Sequence, residues 1–270
     1  MTALSYDRYC TELGTQIDLL RSCVKGADLT GPVAACPDWN LGQLLWHIGG
    51  AHHWAEIAVR TRATQPVAEE LVNDVSGHAR AAPEIIDAWL AEGTSRLTDA
   101  LRAAGPEARV WTPGPGGTTA FWARRMLYEV MVHRADASRA VGAEFAIDEE
   151  FAVDGVEEWM EFATVPEVVR PQSELPPLLG PGRTLSFRGT DTASDRTVEW
   201  LVDLTGNAVA CHRGDARAEK SAAVRVRASL TDLLLLLYRR RTAGDEGVEV
   251  DGDTGLLDVW LERSGFWLRE

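Results

Sequence analysis

The chain has 270 residues, a formal net charge of −14 at pH 7, and 25% charged against 45% hydrophobic residues. That length supports one large domain or two ordinary ones, each with its own core. The acidic balance, with a pI near 4.9, excludes nucleic-acid and anionic-membrane partners, because binding phosphate requires a basic face.

The opening residues MTALSYDRYCTELG place Asp7 and Glu12 where a signal peptide needs a positive start and an apolar run. The longest fully apolar run, Leu233 to Tyr238, is far short of a bilayer span of about 20 residues. A cytoplasmic protein is expected. Cys10, Cys23, Cys36 and Cys211 are widely spaced with no C-x-x-C pair, so they suggest neither a zinc knuckle nor a redox dithiol. Reduced thiols fit a cytosol. Cys36 reads either as a reactive thiol beside a site or as a small buried hydrophobe before the Pro37-Asp38 turn.

In chain order, an amphipathic helix is predicted from Tyr6 to Cys23, ending near Gly26. A second follows Asn40, a plausible N-cap with Gln43 three residues on, close to a capping box. A third covers Pro83 to Ala104, with Ile85, Ile86, Trp89, Leu90, Leu97 and Leu101 along one side. After TPGPGG, Thr118 or Thr119 caps a fourth that runs to about Gly142, and Asp148 to Phe162 forms a shorter fifth. These signals add up to a helix bundle. From Thr164 to Arg183 the texture becomes Pro-rich and aperiodic, as in a linker. Strand-like runs follow at Arg183 to Arg188, Val198 to Leu204, Ala208 to His212 and Ala223 to Ala228. A helix is predicted from Leu230 to Arg241, a short strand and turn at GVEVDGD, and a last helix from Leu256 to Arg263. The expectation is an α+β protein: a helical bundle at 1–162, a linker at 163–182 and a small α+β domain at 183–270.

The fourth helix carries MLYEVMVHRAD. With Glu129 as zero, a step of about 100° per residue puts His133 about 40° to one side and Asp136 about 20° to the other. Trp122 and Ala140 fall within roughly 20° of Glu129, so the ionisable groups sit in the apolar stripe. Arg124, Arg134 and Ser138 form the expected solvent face. A buried carboxylate needs a partner of opposite charge. A metal ion would satisfy Glu129 and His133 together, with Asp136 placed to accept a hydrogen bond behind the histidine. Alternatively Arg125, one turn before Glu129, neutralises it as an ordinary ion pair, and His133 is a core histidine bonded to Asp136. On the second helix His47 lies among Leu44, Ala51, Trp54 and Ala58. His52 and His53 point roughly 120° to 140° away, toward Glu56 and the surface. His78 falls in a polar loop and His212 at a strand end. His47, Glu129 and His133 form a His₂Glu set that suits Zn²⁺ with an open fourth position, or Fe²⁺.

Two stretches carry a resemblance. PDWNLGQLLWHIGGAHHWA, residues 37–55, matches a W-[ST]-x-x-x-L-x-x-H helix except for Asn40 at the Ser/Thr position, and FWARRMLYEVMVHRADA, residues 121–137, matches R-x-x-x-E-x-x-x-H-R-x-D-A. Both are motifs of the mycothiol-dependent maleylpyruvate isomerases and related thiol transferases, which share a DinB-like four-helix bundle. The tail, DLLLLLYRRR followed by VEVDGDTGLLDVW, is similar to that family's sterol-carrier-like C-terminal domain. The resemblance implies that His47, Glu129 and His133 are zinc ligands and that mycothiol binds the open position as a thiolate. In the isomerase the thiolate would add to a cis double bond, permit rotation and leave; in the transferases it would attack an electrophile and stay attached. Arg240 matches a basic position that could anchor an anionic substrate or a cofactor carboxylate, or, with Arg239 and Arg241, simply complement a helix C-terminus. Tyr128 stands where many members have His, Ala135 where many have Trp and Arg239 where Gly is usual.

The reading is therefore a metal-activated, mycothiol-dependent transferase or isomerase of a small electrophile, with Asp136 and Arg240 assisting. The alternatives are a binding or regulatory bundle without catalysis and a metal-dependent hydrolase that uses water. The expected partners are the small-molecule thiol and its electrophilic substrate, in a monomer or homodimer. The pocket is expected between the two halves.

Overall fold

The computed structural model describes residues 4–78, 80–169, 176–192, 198–214 and 221–265. Contacts divide the chain into two compact units, Met1–Phe145 and Ala146–Glu270. Helices make the first unit, and a sheet with covering helices makes the second.

In the first unit α1 spans Tyr6–Cys23, opened by the Ser5 hydroxyl, which accepts from the Arg8 N–H. A hairpin follows, β1 (Pro32–Val33) with β2 (Cys36–Asn40). It runs directly into α2, Leu41–Arg60. The capping box at that junction is complete: the Gln43 N–H donates to Asn40 Oδ1 at 2.9 Å, and the Asn40 N–H donates to Gln43 Oε1 at 3.0 Å. A single turn, α3, covers Glu70–Asn73. Then come α4 (Pro83–Ala104), with its proline in the first turn, and α5 (Thr119–Val141). Gly142, with φ of 70°, closes α5 in the left-handed region where glycine carries no Cβ penalty.

α2 packs on α4, and α1 on α5 and α4. Gly49 permits the first of these contacts. A Cβ on Gly49 would collide with the Trp89 indole, whose Nε1–H donates to the Trp46 carbonyl at 3.1 Å.

The expected solvent face of α5 does not exist at two of its three positions. Arg134 is only 7% exposed and Ser138 1%, because α1 covers that side. Arg134 is accommodated there by donating through Nε to Gln16 Oε1 at 2.7 Å and by lying over the Phe145 ring.

The second unit begins with α6, Glu149–Phe162, the helix grouped with the bundle on its sequence. It packs instead on a later Leu-rich helix, α8 (Leu230–Leu237). Its Trp159 ring lies 4.7 Å from that of Tyr238, just past α8. Its apolar stripe looks the same from sequence whichever partner covers it. The expected linker contains a short helix, α7 (Pro166–Val169); residues 170–175 of it lie outside the described residues.

The strands are β3 (Thr184–Gly189), β4 (Glu199–Asp203), β5 (Ala210–Arg213), β6 (Val224–Ala228) and β7 (Glu249–Gly252). They form one sheet in the order β5-β4-β3-β6-β7. Only β3 and β6 are parallel, and Phe187 pairs with both Trp200 and Val226. α8 covers β3 and β6, and α9 (Thr254–Ser264) reaches β6 and α7.

α8 stops at Leu237, four residues before the expected end. The Arg239 N–H bonds to Leu236 O and the Arg240 N–H to Leu235 O, with Arg239 at a φ of 62°. That is a left-handed C-terminal cap with arginine where glycine is the easy residue. The architecture is α+β, a helical N-terminal half and a sheet-containing C-terminal half. Among the described residues no helix is long and apolar enough to cross a membrane.

Candidate metal centre

α2 and α5 face one another at the level of His47, which meets the pair Glu129 and His133, one turn apart on α5. Glu129 Oε1 lies 3.3 Å from His47 Nε2 and 3.1 Å from His133 Nε2. The two imidazoles stand edge to face, with centroids 5.1 Å apart. One donor atom from each of the three residues lies within 4.8 Å of the others.

Both rings are oriented from behind. His47 Nδ1 is 3.0 Å from the Val72 carbonyl. A carbonyl only accepts, so Nδ1 donates to it and Nε2 is left directed at Glu129. His133 Nδ1 donates in the same way to Asp136 Oδ2, at 3.0 Å. Hydrogen bonds of this kind fix the tautomer and raise the basicity of a ligating imidazole. Arg125 Nη2 donates to the other carboxylate oxygen, Glu129 Oε2, at 3.3 Å, leaving Oε1 to face the rings. The Arg125 ion pair and the imidazole cluster therefore coexist; they are not alternatives.

The side chains of His47 and His133 are 1% and 5% exposed, and that of Glu129 is 19% exposed, so the open side of the cluster is at the carboxylate. Burial opposes charge on Glu129. The hydrogen bonds from His133 and His47, with the nearby His133 and Arg125 charges, outweigh it and hold the carboxyl well below the usual range. Burial likewise opposes the charged form of His133. Its hydrogen bonds to Asp136 and Glu129 prevail, and its pKa rises to about 9. Without an ion, a proton on His133 Nε2 sits where a cation would sit.

Two turns away on the same stripes, Trp54 and Trp122 meet edge to face at 4.9 Å, and Trp111 lies 5.6 Å from Trp54. They form an aromatic group about 10 Å along the helices from His47 and Glu129. A groove of about 810 Å³ among α1, α2 and α4 is lined by Arg21, Lys25, Leu45 and Asp87 among others, and by none of the clustered residues.

The remaining histidines are outside the cluster's donor set. His52 does not point to the surface: it is 0% exposed, turned toward α4, with Nδ1 at 3.1 Å from Thr94 Oγ1. α4 covers the side of α2 that a single-helix wheel assigns to solvent. Burial, with a smaller contribution from His47, pushes the His52 pKa down to about 4, against the pull of Glu129. His53 is partly exposed, 3.7 Å from Glu56 Oε2. His78 stacks on Trp46 at 3.5 Å, and His212 is in β5. Arg240 belongs to the second unit, where its Nη1 donates to the Tyr238 carbonyl at the end of α8.

Sequence reasoning missed Val72, whose contribution is a backbone carbonyl and leaves no residue signature. It also missed the hairpin, which sets Trp39 4.8 Å from the His47 ring and brings Cys36 to His133 and Asp136.

Comparison with known proteins settles the family. The model of the Mycothiol maleylpyruvate isomerase N-terminal domain matches residues 10–138, and that of the MDMPI C-terminal domain matches residues 150–258. The chain belongs to the mycothiol-dependent maleylpyruvate isomerase family. Its fold is similar to the crystal structure of mycothiol-dependent maleylpyruvate isomerase, with a TM-score of 0.62 and 18% identity over 94% of this chain and 97% of that one. A histidine-to-alanine mutant of mycothiol-dependent maleylpyruvate isomerase is similar to the same extent, with a TM-score of 0.63, 17% identity and the same coverage. At those identities the likeness establishes the fold. No curated protein sequence matches the chain.

Proposed function

We propose that this member of the family is a metal-activated, mycothiol-dependent transferase or isomerase of a small electrophilic substrate. The observation that carries the reading is the convergence of two imidazole Nε2 atoms and one carboxylate oxygen, each aimed by a partner behind it: Val72 O, Asp136 and Arg125. Such a nitrogen-and-oxygen set, open on one side, suits Zn²⁺ or another divalent ion of similar preference.

His47, Glu129 and His133 would hold three positions of the ion. When bound, the ion supplies the Lewis acidity that lowers the pKa of a coordinated thiol and gives a nucleophilic sulfur at neutral pH. The chain's own residues prepare for this. Arg125 holds Glu129 Oε2, so the carboxylate offers one oxygen and leaves a position open. Asp136 takes the Nδ1 proton of His133 into a hydrogen bond and keeps Nε2 directed at the site. For Arg240 the family resemblance supports an anchoring role toward an anionic group.

The test is metal analysis of the purified full chain, followed by turnover of maleylpyruvate and model electrophiles with and without mycothiol. About one divalent ion per chain, and turnover that requires both ion and thiol, are expected. Turnover with the ion but no thiol would favour a hydrolase, and an ion-free chain would favour a binding module.

A further inference from the structure

The β1–β2 hairpin places a sulfur beside the metal-centre residues. Val33 pairs with Cys36 and Pro32 with Asn40, and Asn40 caps α2, so the position of Cys36 is tied to the helix that carries His47. β1 also packs on α5. One donor atom each from Cys36, His133 and Asp136 lies within 4.8 Å of the others. Cys36 is half-buried and in no disulfide, and His133 and Asp136 are buried.

The donor atoms of this second set differ from those of the first in kind and direction. His133 directs Nε2 to Glu129 and His47, and Nδ1 to Asp136. Cys36 joins the Nδ1 side. Donors bound to a tetrahedral zinc at about 2.0 to 2.3 Å stand roughly 3.3 to 3.8 Å from one another, so small side-chain rotations close the set. The His133 Nδ1 to Asp136 Oδ2 separation of 3.0 Å is already near that spacing. A sulfur, nitrogen and oxygen set selects soft or borderline ions over Mg²⁺ and Ca²⁺.

We propose that Cys36, Asp136 and the Nδ1 edge of His133 form a second cation site that adjoins the first through the shared imidazole and takes a thiophilic divalent ion such as Zn²⁺ or Cd²⁺. Binding balances by release of the Cys36 thiol proton and the His133 Nδ1 proton. It also takes from His133 the hydrogen bond to Asp136 that orients Nε2. The second site therefore competes with the support of the first, and excess thiophilic metal inhibits. This inhibitory consequence rests on the proposed function above; the existence of the site does not.

The experiment is a Co²⁺ titration of the full chain after chelation, read by absorbance and by bound-metal analysis. The wild type is expected to take two equivalents, one with the near-ultraviolet thiolate-to-cobalt charge-transfer band and one without it. Cys36→Ser should lose the band and one equivalent. His47→Ala should keep the band and lose the other, and that pattern separates failure of the first site from failure of the second. As a check that needs no variant, Cd²⁺ should slow alkylation of Cys36 in the wild type at least tenfold, measured by peptide mass spectrometry. No sulfur band at any stoichiometry, a band that survives Cys36→Ser, or alkylation indifferent to Cd²⁺ would each overturn the proposal.

Discussion

Proton competition at His133 gives the proposed metal centre a specific pH signature. With no ion bound, the hydrogen bonds to Asp136 and Glu129 raise the pKa of this imidazole to about 9 against the cost of burial. A metal ion requires the Nε2 lone pair, so at pH 7 it must first displace a proton. The gap of about two pKa units corresponds to about 3 kcal/mol, or a hundredfold weakening relative to the affinity above pH 9. The dissociation constant of the first equivalent of zinc should therefore fall about tenfold per pH unit between pH 6 and 9. Competition against a chromophoric chelator measures this dependence. Calorimetry at pH 7 in two buffers of different ionisation heat should count about one proton released per ion. Asp136→Asn removes one of the bonds that raise the pKa, so fewer protons should be released at pH 7. Above pH 9, where competition has vanished, the same variant should still bind roughly 10- to 100-fold more weakly, because the ring has lost its orienting partner. A wild-type affinity flat from pH 6 to 9, with no proton release, would refute the reasoning.

Three further outcomes concern the stability of the fold. His52 has a folded pKa of about 4, below the usual 6.5, so the unfolded chain binds a proton first as pH falls. Stability should be intact above pH 6.5 and drop by up to about 3 kcal/mol toward pH 4, a loss that His52→Leu removes in urea titrations; an equal loss in the variant would contradict this. Gly49→Ala should lower the melting temperature, since overpacking against Trp89 costs about 1 to 3 kcal/mol and outweighs the gain in helix propensity; a raised melting temperature would contradict it. Arg239→Gly should raise the melting temperature, because relief of a left-handed arginine is worth about 1 to 2 kcal/mol. It exceeds the loss of the partly exposed ion pair with Glu262, worth at most about 1 kcal/mol, and a lowered melting temperature would contradict this balance.

The wheel of α5 placed Glu129, His133 and Asp136 on one stripe, and the wheel of α2 placed His47 inward, because those residues face a single neighbouring helix. The same method failed for Arg134, Ser138 and His52. α5 is packed by both α1 and α2, and α2 by both α4 and α5, so their polar sides are also covered. A helical wheel finds the most apolar direction and cannot count the neighbours. The boundary of the bundle was misplaced for a related reason: the stripe of α6 shows that something covers it, not which helix does. The β1–β2 hairpin escaped notice because Pro37 and Asp38 read as a turn and β1 is only two residues long. With it went the proximity of Cys36 to the site. The early end of α8 at Leu237 was hidden because arginine, not glycine, stands at the left-handed position 239, although glycine is usual there in the family the sequence resembles.

X-ray absorption at the zinc edge tests the central claim most directly, using the Cys36→Ser chain loaded with one equivalent so that any sulfur seen comes from the added thiol. The account expects a shell of nitrogen and oxygen alone, at about 2.0 to 2.2 Å, before mycothiol is added. After addition it expects one sulfur at about 2.3 Å. A zinc shell that gains no sulfur with mycothiol at saturation, or a chain that retains no zinc, would contradict the claim that His47, Glu129 and His133 hold a thiol-activating metal.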